Sequence, residues 1–320
     1  MEIITFAQDW FVLTLLVGVA MLVFGGHLLV EGGIAIATRF GVSKLVIGLT
    51  IIAFSTSSPE LAINVIASFN GHGDLCLGNI FGSNIANIGL VLGIGALICK
   101  LPVTAQIIKV EFPWLVIATF IVGAATIFSG LNIYWAIGFL CFFVFLMLKW
   151  FRIGKDTDSG IEKESGESTS EVERTALSAW AMLFVGLMLL GLGGKATEIG
   201  AVTGAIALGM SEILVGGTVV AIATSLPEVV TTVIAAKKGH PDLAVGNVVG
   251  SNIFNILFVL PITILVNPIE ISSDAWMYVL VMFCMTLLAW ILTMDNRIKP
   301  KEGSILVGLY ILFLAWVSFF

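Results

Sequence analysis

GHGDLCLGNIFGSNIANI, residues 71–88, recurs as GHPDLAVGNVVGSNIFNI at residues 239–256. The two copies share 12 identities in 18 positions, and the identical residues include His, Asp, Asn and Ser. Upstream, IGLTIIAFSTSSPE at residues 47–60 aligns without a gap on VGGTVVAIATSLPE at residues 215–228. Both pairs have the same offset (239 − 71 = 168 and 215 − 47 = 168), so the chain contains an internal duplication that retains its polar residues.

The composition is that of a membrane protein. Of the 320 residues, 58% are apolar and 11% are charged, whereas soluble globular proteins average about 25% charged residues. This excludes a soluble enzyme and a disordered chain. With 15 Lys and Arg against 21 Asp and Glu, it also excludes a nucleic-acid-binding surface. Because a spanning helix needs about 20 apolar residues, we predict a polytopic membrane protein that is not an enzyme.

Apolar segments suited to spanning helices number ten. They lie near residues 10–30, 45–69, 75–99, 112–129, 133–151, 177–197, 211–236, 243–266, 275–294 and 304–320. All are predicted to be helices, because hydrocarbon offers no partner for unpaired backbone groups. The predicted fold is therefore an all-α polytopic membrane protein with ten transmembrane helices in two repeats of five. The first repeat covers residues 1–151, an acidic linker 152–175, and the second repeat 176–320.

The linker and the loop charges predict the orientation. Residues 152–175 are rich in Asp, Glu, Ser and Gly and are expected to form a solvated, mobile loop. The loops on the same side as this linker hold 14 of the 15 Lys and Arg residues, and the opposite side holds only Lys195. The positive-inside rule then places the linker in the cytoplasm and both termini outside the cell membrane.

An odd number of helices in each repeat implies that the second repeat is inverted in the membrane relative to the first. Inverted repeats that meet near the midplane are typical of alternating-access transporters, whose sites lie in paired, interrupted helices. Duplication for packing alone would preserve apolar positions and let polar ones drift. The retained polar residues therefore predict a transport site.

Two carboxylates lie deep within apolar segments, and they are equivalent in the repeat: Glu60 and Glu228. A charged carboxylate in hydrocarbon costs several kcal/mol unless it faces a cavity or a partner. No Lys or Arg lies near the middle of any predicted span, so a structural ion pair is excluded. A cation from solution is the expected counter-charge. The alternative is that both glutamates are protonated and act only as hydrogen-bond donors.

Oxygen-bearing residues surround both glutamates in the sequence. Proline before each glutamate removes a helical hydrogen bond and frees carbonyl oxygens of the preceding turn. The candidate ligands are the hydroxyls or carbonyls of Thr56, Ser57, Thr224 and Ser225, the carbonyls of Ala53 and Ala221, and Ser83, Asn87, Ser251 and Asn255. Two carboxylates with neutral oxygens favour Ca²⁺ or Na⁺ over Zn²⁺ or copper, which prefer nitrogen and sulfur ligands.

At these residues the sequence resembles the sodium/calcium exchanger family, within the calcium/cation antiporter superfamily. STSSPE and ATSLPE, each followed by GNxxGSNxxN, are similar to that family's alpha-1 and alpha-2 repeats. The resemblance implies ten helices in two inverted halves, the ligand set above, and exchange of three Na⁺ for one Ca²⁺. The short linker has no room for the calcium-sensing domains of animal members, so the chain resembles a minimal prokaryotic-type member.

This chain departs from the family pattern at a few positions. Ser55 and Ala223 stand where the family usually has Gly, and Ser58 stands where Leu is usual. Asn255 stands where some relatives, including potassium-dependent ones, are acidic. We therefore predict a sodium/calcium antiporter that is electrogenic and independent of K⁺.

Three further transport functions are compatible with the sequence but favoured less. Calcium/proton antiporters usually carry an extra Glu after the GN pair of the third helix, whereas this chain has Ile80 after that pair and Val248 after its repeated copy. Potassium-dependent sodium/calcium exchange is the second of these functions. A cation channel is the third, and it is favoured least because it does not explain the inverted polar repeat. The expected partners are Ca²⁺, Na⁺ and the lipid bilayer, with no cofactor, nucleic acid or protein partner.

Overall fold

The computed structural model describes residues 10–161, 175–210, 219, 221–269 and 275–319, which are almost entirely helical. The helices are α1 (Phe11–Phe40), α2 (Lys44–Thr56), α3 (Ser58–Phe69), α4 (Gly73–Ile98), α5 (Ile107–Phe128), α6 (Ile133–Ile161), α7 (Ala176–Ala207), α8 (Ala221–Thr224), α9 (Leu226–Lys237), α10 (Pro241–Val266), α11 (Ala275–Leu292) and α12 (Pro300–Phe319). Two short strands, β1 (Leu101–Pro102) and β2 (Arg297–Ile298), pair antiparallel.

In this described part, eight helices are long and apolar enough to cross a membrane. The helices α2 and α3 meet at a bend of 45° and would make a ninth span if counted as one. The predicted segment 211–236 is represented by α8 and α9, and residues 211–218 and 220 lie outside the described residues. The all-helical membrane fold is therefore observed, while the count of ten helices stays a prediction.

The predicted linker overlaps a helix at its start. The sequence pattern begins the linker at residue 152, whereas α6 continues to Ile161. Residues 162–174 of the linker lie outside the described residues. For that part of the segment, the solvated loop stays a prediction.

Polar and apolar side chains are distributed as expected for a protein surrounded by lipid. Large apolar side chains such as Leu16, Phe24, Phe120 and Phe184 are more than 60% exposed. The interior holds hydroxyl, amide and carboxyl groups, and it is formed mainly by α4 and α10, the most enclosed of the long helices. Since these two helices carry the repeated GNxxGSNxxN motifs, the duplicated polar residues lie at the centre of the bundle.

The helices α1 and α7 pack along each other at glycines. A Cβ added to Gly18 would lie 2.9 Å from the carbonyl oxygen of Gly193, and one added to Gly25 would lie 3.0 Å from that of Gly186. Residue numbers increase along α1 from one contact to the next while they decrease along α7, so the two helices are antiparallel. The offset of 168 residues carries Gly18 to Gly186 and Gly25 to Gly193, so it maps this set of contacts onto itself. Glycine permits this close approach because it has no side chain.

The helix break before each buried glutamate has the same geometry in both repeats. Ser57 (φ −88°, ψ 4°) separates α2 from α3, and Ser225 (φ −90°, ψ 0°) separates α8 from α9. Pro59 and Pro227 follow in the first turn of the next helix, where proline is tolerated because that turn has no intrahelical partner for its N–H. The duplicated proline therefore starts a new helix N-terminus inside the membrane protein.

Loops that were predicted to share one membrane side meet at one end of the bundle. The strands β1 and β2 pair Leu101 with Ile298, which joins the loops after α4 and α11. The Nζ atom of Lys44, after α1, lies 3.4 Å from Nδ1 of His240, after α9. These basic loops form what we call the basic end of the bundle, and its cytoplasmic location stays a prediction.

Candidate cation-binding site

Glu60 and Glu228 occupy equivalent places, each in the first turn of a helix that begins inside the bundle. Their exposed fractions are 3% and 1%, and Glu60 lies close enough to Glu228 to act on its charge. The unpaired N–H groups of a helix N-terminus favour a negative group, so α3 and α9 each support one carboxylate. When both carboxylates are ionised, their two negative charges still need a positive counter-charge.

No protein group supplies that counter-charge in the described residues. Glu60 Oε2 and both carboxyl oxygens of Glu228 are buried and have no hydrogen-bond partner there. A third buried carboxylate, Glu111 in α5, shows the contrast, because it accepts hydrogen bonds from Gln106 Nε2 at 3.0 Å and from Trp150 Nε1. A buried charge without partners is strongly destabilising, so this pair calls for either a cation from outside the chain or protonation of the glutamates.

Hydrogen bonds from Thr56 connect the two repeats at the site. The Thr56 hydroxyl donates to Asn247 Oδ1 at 3.2 Å, and it lies 3.2 Å from the hydroxyl of Ser251. It also lies beside the carboxylate of Glu228. The structure therefore brings the predicted ligands Thr56, Ser251 and Glu228 together, from three helices and both repeats.

The other predicted ligands are placed less uniformly. Ser57, Ser225, Ser83, Asn87 and Asn255 are all buried, and Ser57 Oγ and Asn255 Oδ1 have no partner in the part of the chain described. Asn87 and Asn255 each begin a π-helical turn, a local widening that is frequent at functional sites.

The two predicted carbonyl ligands, Ala53 and Ala221, each begin the helical turn before a break. The Ala53 carbonyl accepts the amide of Ser57 at 3.0 Å and the hydroxyl of Thr56 at 3.3 Å. The amide of Ser225, at the equivalent place in the second repeat, bonds to the carbonyl of Ile222 at 3.1 Å.

The sequence reasoning missed several buried oxygens. Asn64 Oδ1, one turn after Glu60, has no partner among the described residues, and its amide nitrogen donates to the Glu60 carbonyl at 2.7 Å. The same lack of a partner holds for Asn84 Oδ1, Asn252 Oδ1 and Thr231 Oγ1. The available signal was the spacing of Asn64 four residues after Glu60, which places both on one helix face.

A cavity of about 60 Å³ reaches Glu60 from the side of α7. It is lined by Pro59, Glu60, Ile63, Thr224 and Pro227, and by α7 at Lys195 and Glu198. Lys195 lies within α7, where its Nζ pairs with Glu198 Oε1 at 2.8 Å. The volume is large enough for about two water molecules, so a small cavity reaches Glu60 on this side of the bundle.

The donor set as a whole fits a hard cation. In the described residues no group of three or more His, Cys, Asp and Glu could hold a metal ion. The site instead offers two carboxylates with hydroxyl, amide and carbonyl oxygens, which Ca²⁺ and Na⁺ accept and softer transition metals do not prefer.

The matched threonines give the first testable prediction. We expect Thr56→Val and Thr224→Val each to weaken Ca²⁺ and Na⁺ binding about tenfold, because each removes one hydroxyl oxygen while keeping the side-chain shape. Equilibrium binding of ⁴⁵Ca²⁺ to the purified protein, with Na⁺ as competitor, measures both affinities.

The control for these variants is Thr119→Val. Thr119 is a buried threonine whose hydroxyl donates to the carbonyl of Leu115 at 2.8 Å within α5. We expect its loss to leave both affinities unchanged. Unchanged binding in the Thr56 and Thr224 variants would mean that those hydroxyls only bond back to helical carbonyls.

Similarity to known proteins extends along nearly the whole chain. The family model described as sodium/calcium exchanger protein matches residues 10–154 and 178–319. The putative antiporter CaxA of Alkalimonas amylolytica is 34% identical over 305 residues, covering 92% of this chain and 95% of that protein. The sodium/calcium exchanger MaX1 of Methanosarcina acetivorans is 30% identical over 359 residues, covering 94% and 97%.

A solved structure has the same fold. The sodium-calcium exchanger NCX_Mj, soaked with 10 mM Na⁺ and zero Ca²⁺, superposes with a TM-score of 0.83 at 28% identity. The match covers 96% of this chain and 99% of that one. The helical arrangement thus agrees with that of a known exchanger.

Proposed function

Since the chain belongs to the sodium/calcium exchanger protein family, and is a membrane transporter of cations, we propose that it exchanges Na⁺ for Ca²⁺ across the cell membrane by alternating access. The observation that carries this proposal is the pair of buried carboxylates, Glu60 and Glu228, of which Glu60 Oε2 and both Glu228 oxygens have no hydrogen-bond partner in the described residues. The two carry a charge of −2, which one Ca²⁺ or two Na⁺ neutralise.

Inverted repeats are part of this proposal. The antiparallel contact of α1 with α7, in which the offset of 168 residues maps the glycines onto each other, supports an axis that exchanges the two halves. The matching breaks at Ser57 and Ser225 support the same axis at the site. Such an axis makes two access routes equivalent, one from each side of the membrane. We place both termini outside and the basic end of the bundle in the cytoplasm.

We expect the exchange to be electrogenic. A third Na⁺ at a site with a charge of −2 leaves one excess positive charge, so net charge crosses the membrane in each cycle. An inside-positive potential should then accelerate Ca²⁺ uptake into Na⁺-loaded vesicles. For one net charge, about 60 mV changes the equilibrium Ca²⁺ ratio about tenfold. We also expect no need for K⁺, because the amides of Asn87 and Asn255 add no charge to attract a further cation.

The test is ⁴⁵Ca²⁺ flux in proteoliposomes whose potential is set by a proton gradient and a protonophore, with and without K⁺. Internal Na⁺, K⁺ and H⁺ are varied one at a time. Flux that ignores the potential would contradict electrogenic exchange, and flux that requires K⁺ would favour potassium-dependent exchange. Ca²⁺ uptake driven by H⁺ without Na⁺ would favour a calcium/proton antiporter, and uptake without any counter-ion gradient would indicate a channel.

A further inference from the structure

A chain of buried hydrogen bonds joins three helices on the side of the site that faces the basic end of the bundle. Thr56 in α2 donates to Asn247 Oδ1 in α10, and Asn247 Nδ2 donates to Thr232 Oγ1 in α9 at 3.1 Å. All three residues are fully buried. This chain, which we call the Asn247 relay, holds α10 against the two broken helices that carry Glu60 and Glu228.

The equivalent residues in the other repeat are Thr224, Asn79 and Asn64, each 168 positions away from its counterpart. In that set, Asn79 Nδ2 and Asn64 Oδ1 are both buried and have no partner in the part of the chain that the structure describes. They are the donor and the acceptor that correspond to the bond from Asn247 Nδ2 to Thr232. Buried polar groups are rarely left unpaired, so these two atoms are unusual. The relay is formed in one repeat, whereas in the other repeat the bond between Asn79 and Asn64 is open.

The open relay lies on the side that has the cavity. Thr224 and Ile63 line the cavity that reaches Glu60, and Ile63 is 38% exposed. Its equivalent, Thr231, is fully buried on the side of the Asn247 relay. Burial and the state of the relay therefore agree: Thr231 is buried on the side with the formed relay, and the cavity lies on the side where Asn64 and Asn79 are unpaired.

We propose that Asn247 with Thr232, and Asn79 with Asn64, are two alternating latches of which only one is formed at a time. The Asn247–Thr232 latch closes the basic end of the bundle in the present state. In the opposite state it opens, and Asn79 bonds to Asn64 to close the side that now has the cavity. The unpaired donor and acceptor of the open latch favour its closure, so each latch biases the equilibrium between the two states. The role of the two latches in transport rests on the proposed exchange function, whereas their effect on accessibility does not.

The test measures accessibility, which does not depend on transport. Two reporters, Ile63→Cys and Thr231→Cys, are made separately in a protein whose Cys76, Cys99, Cys141 and Cys284 are replaced by serine. The rate of reaction with a small positively charged methanethiosulfonate reagent is measured in detergent solution without Ca²⁺ or Na⁺. We expect the Ile63→Cys reporter to react fast and the Thr231→Cys reporter slowly.

The latch variants should shift these rates in opposite directions. Thr232→Val removes the acceptor of the formed latch, and we expect it to accelerate the Thr231→Cys reporter about two- to tenfold, the worth of one hydrogen bond. Asn79→Leu removes the donor of the open latch and should slow that reporter and accelerate the Ile63→Cys reporter. The double variant, Thr232→Val with Asn79→Leu, should return both rates close to their original values.

Thr232→Ser is the matched control, because it keeps the hydroxyl next to the reporter and should leave both rates unchanged. If Thr232→Val and Asn79→Leu changed the rate of a given reporter in the same direction, or if neither changed it, the latch proposal would be overturned. A purely structural role of these residues does not predict opposite changes. The same variants in the ⁴⁵Ca²⁺ assay separate the two proposals. Opposed accessibility without any Na⁺-driven flux would keep the latches and defeat the proposed exchange.

Discussion

We expect Glu60→Gln and Glu228→Gln each to abolish Ca²⁺ transport, reducing it at least a hundredfold, in a protein that still folds. Glutamine keeps the shape and one oxygen, so the loss is that of one negative charge out of two. At a site that excludes most water, the attraction between a divalent ion and each carboxylate is weakly screened. Proteoliposome ⁴⁵Ca²⁺ flux measures the effect, and near-normal flux in either variant would contradict the assignment of the site.

A thermal shift measurement separates loss of binding from loss of folding. Ligands that bind only the native state raise its stability, so Ca²⁺ should raise the melting temperature of the unaltered protein and leave that of both variants unchanged. Without cations, the variants should melt at or above the temperature of the unaltered protein, because each removes a buried, unpaired charge. Glu111→Gln is the matched control: its carboxylate is also buried but is hydrogen-bonded by Gln106 and Trp150, and we expect transport to persist.

We expect Gly250→Ala to cause the second largest loss, through the packing of α10 against α2. A Cβ on Gly250 would lie 2.5 Å from the carbonyl oxygen of Leu49 and 2.8 Å from Cβ of Ala53. The contacts include rigid backbone, so the two helices must separate by about 1 Å, and overpacking of this kind costs about 1–3 kcal/mol. The neighbouring Ser251 would then move away from Thr56, and Ca²⁺ transport should fall about ten- to a hundredfold.

Gly138→Ala controls for the general effect of alanine in a spanning helix. Gly138 lies in α6, and no described atom would come within 4 Å of an added Cβ. Alanine there should leave transport unchanged and favour the helix by up to about 1 kcal/mol. Ca²⁺ flux and the melting temperature are measured for Gly250→Ala and Gly138→Ala and compared between the two variants. Normal transport by Gly250→Ala would mean that the contact between α2 and α10 does not position the site.

Local features of the site were predictable from the sequence because they depend on neighbouring residues. The duplication at an offset of 168 residues identified Glu60 and Glu228 as equivalent carboxylates, and the prolines at 59 and 227 predicted helix breaks beside them. Hydropathy predicted the helical membrane fold, since hydrocarbon leaves no other way to pair the backbone of long apolar segments. The repeated GNxxGSNxxN motif added Ser83, Asn87, Ser251 and Asn255, all of which are buried in the described structure.

Which of these groups meet, and which stay unpaired, depends on contacts between helices that lie far apart in the sequence. The bond of Thr56 to Asn247 joins residues 191 positions apart, and no local pattern specifies such a contact. The difference between Asn247, which is hydrogen-bonded, and Asn79 Nδ2, which is not, is invisible in two nearly identical motifs. Sequence symmetry made the two repeats chemically alike, whereas the folded chain buries Thr231 in one repeat and leaves the equivalent Ile63 beside a cavity in the other. A single chain conformation cannot close both sides and still admit an ion, so the symmetry is broken in three dimensions.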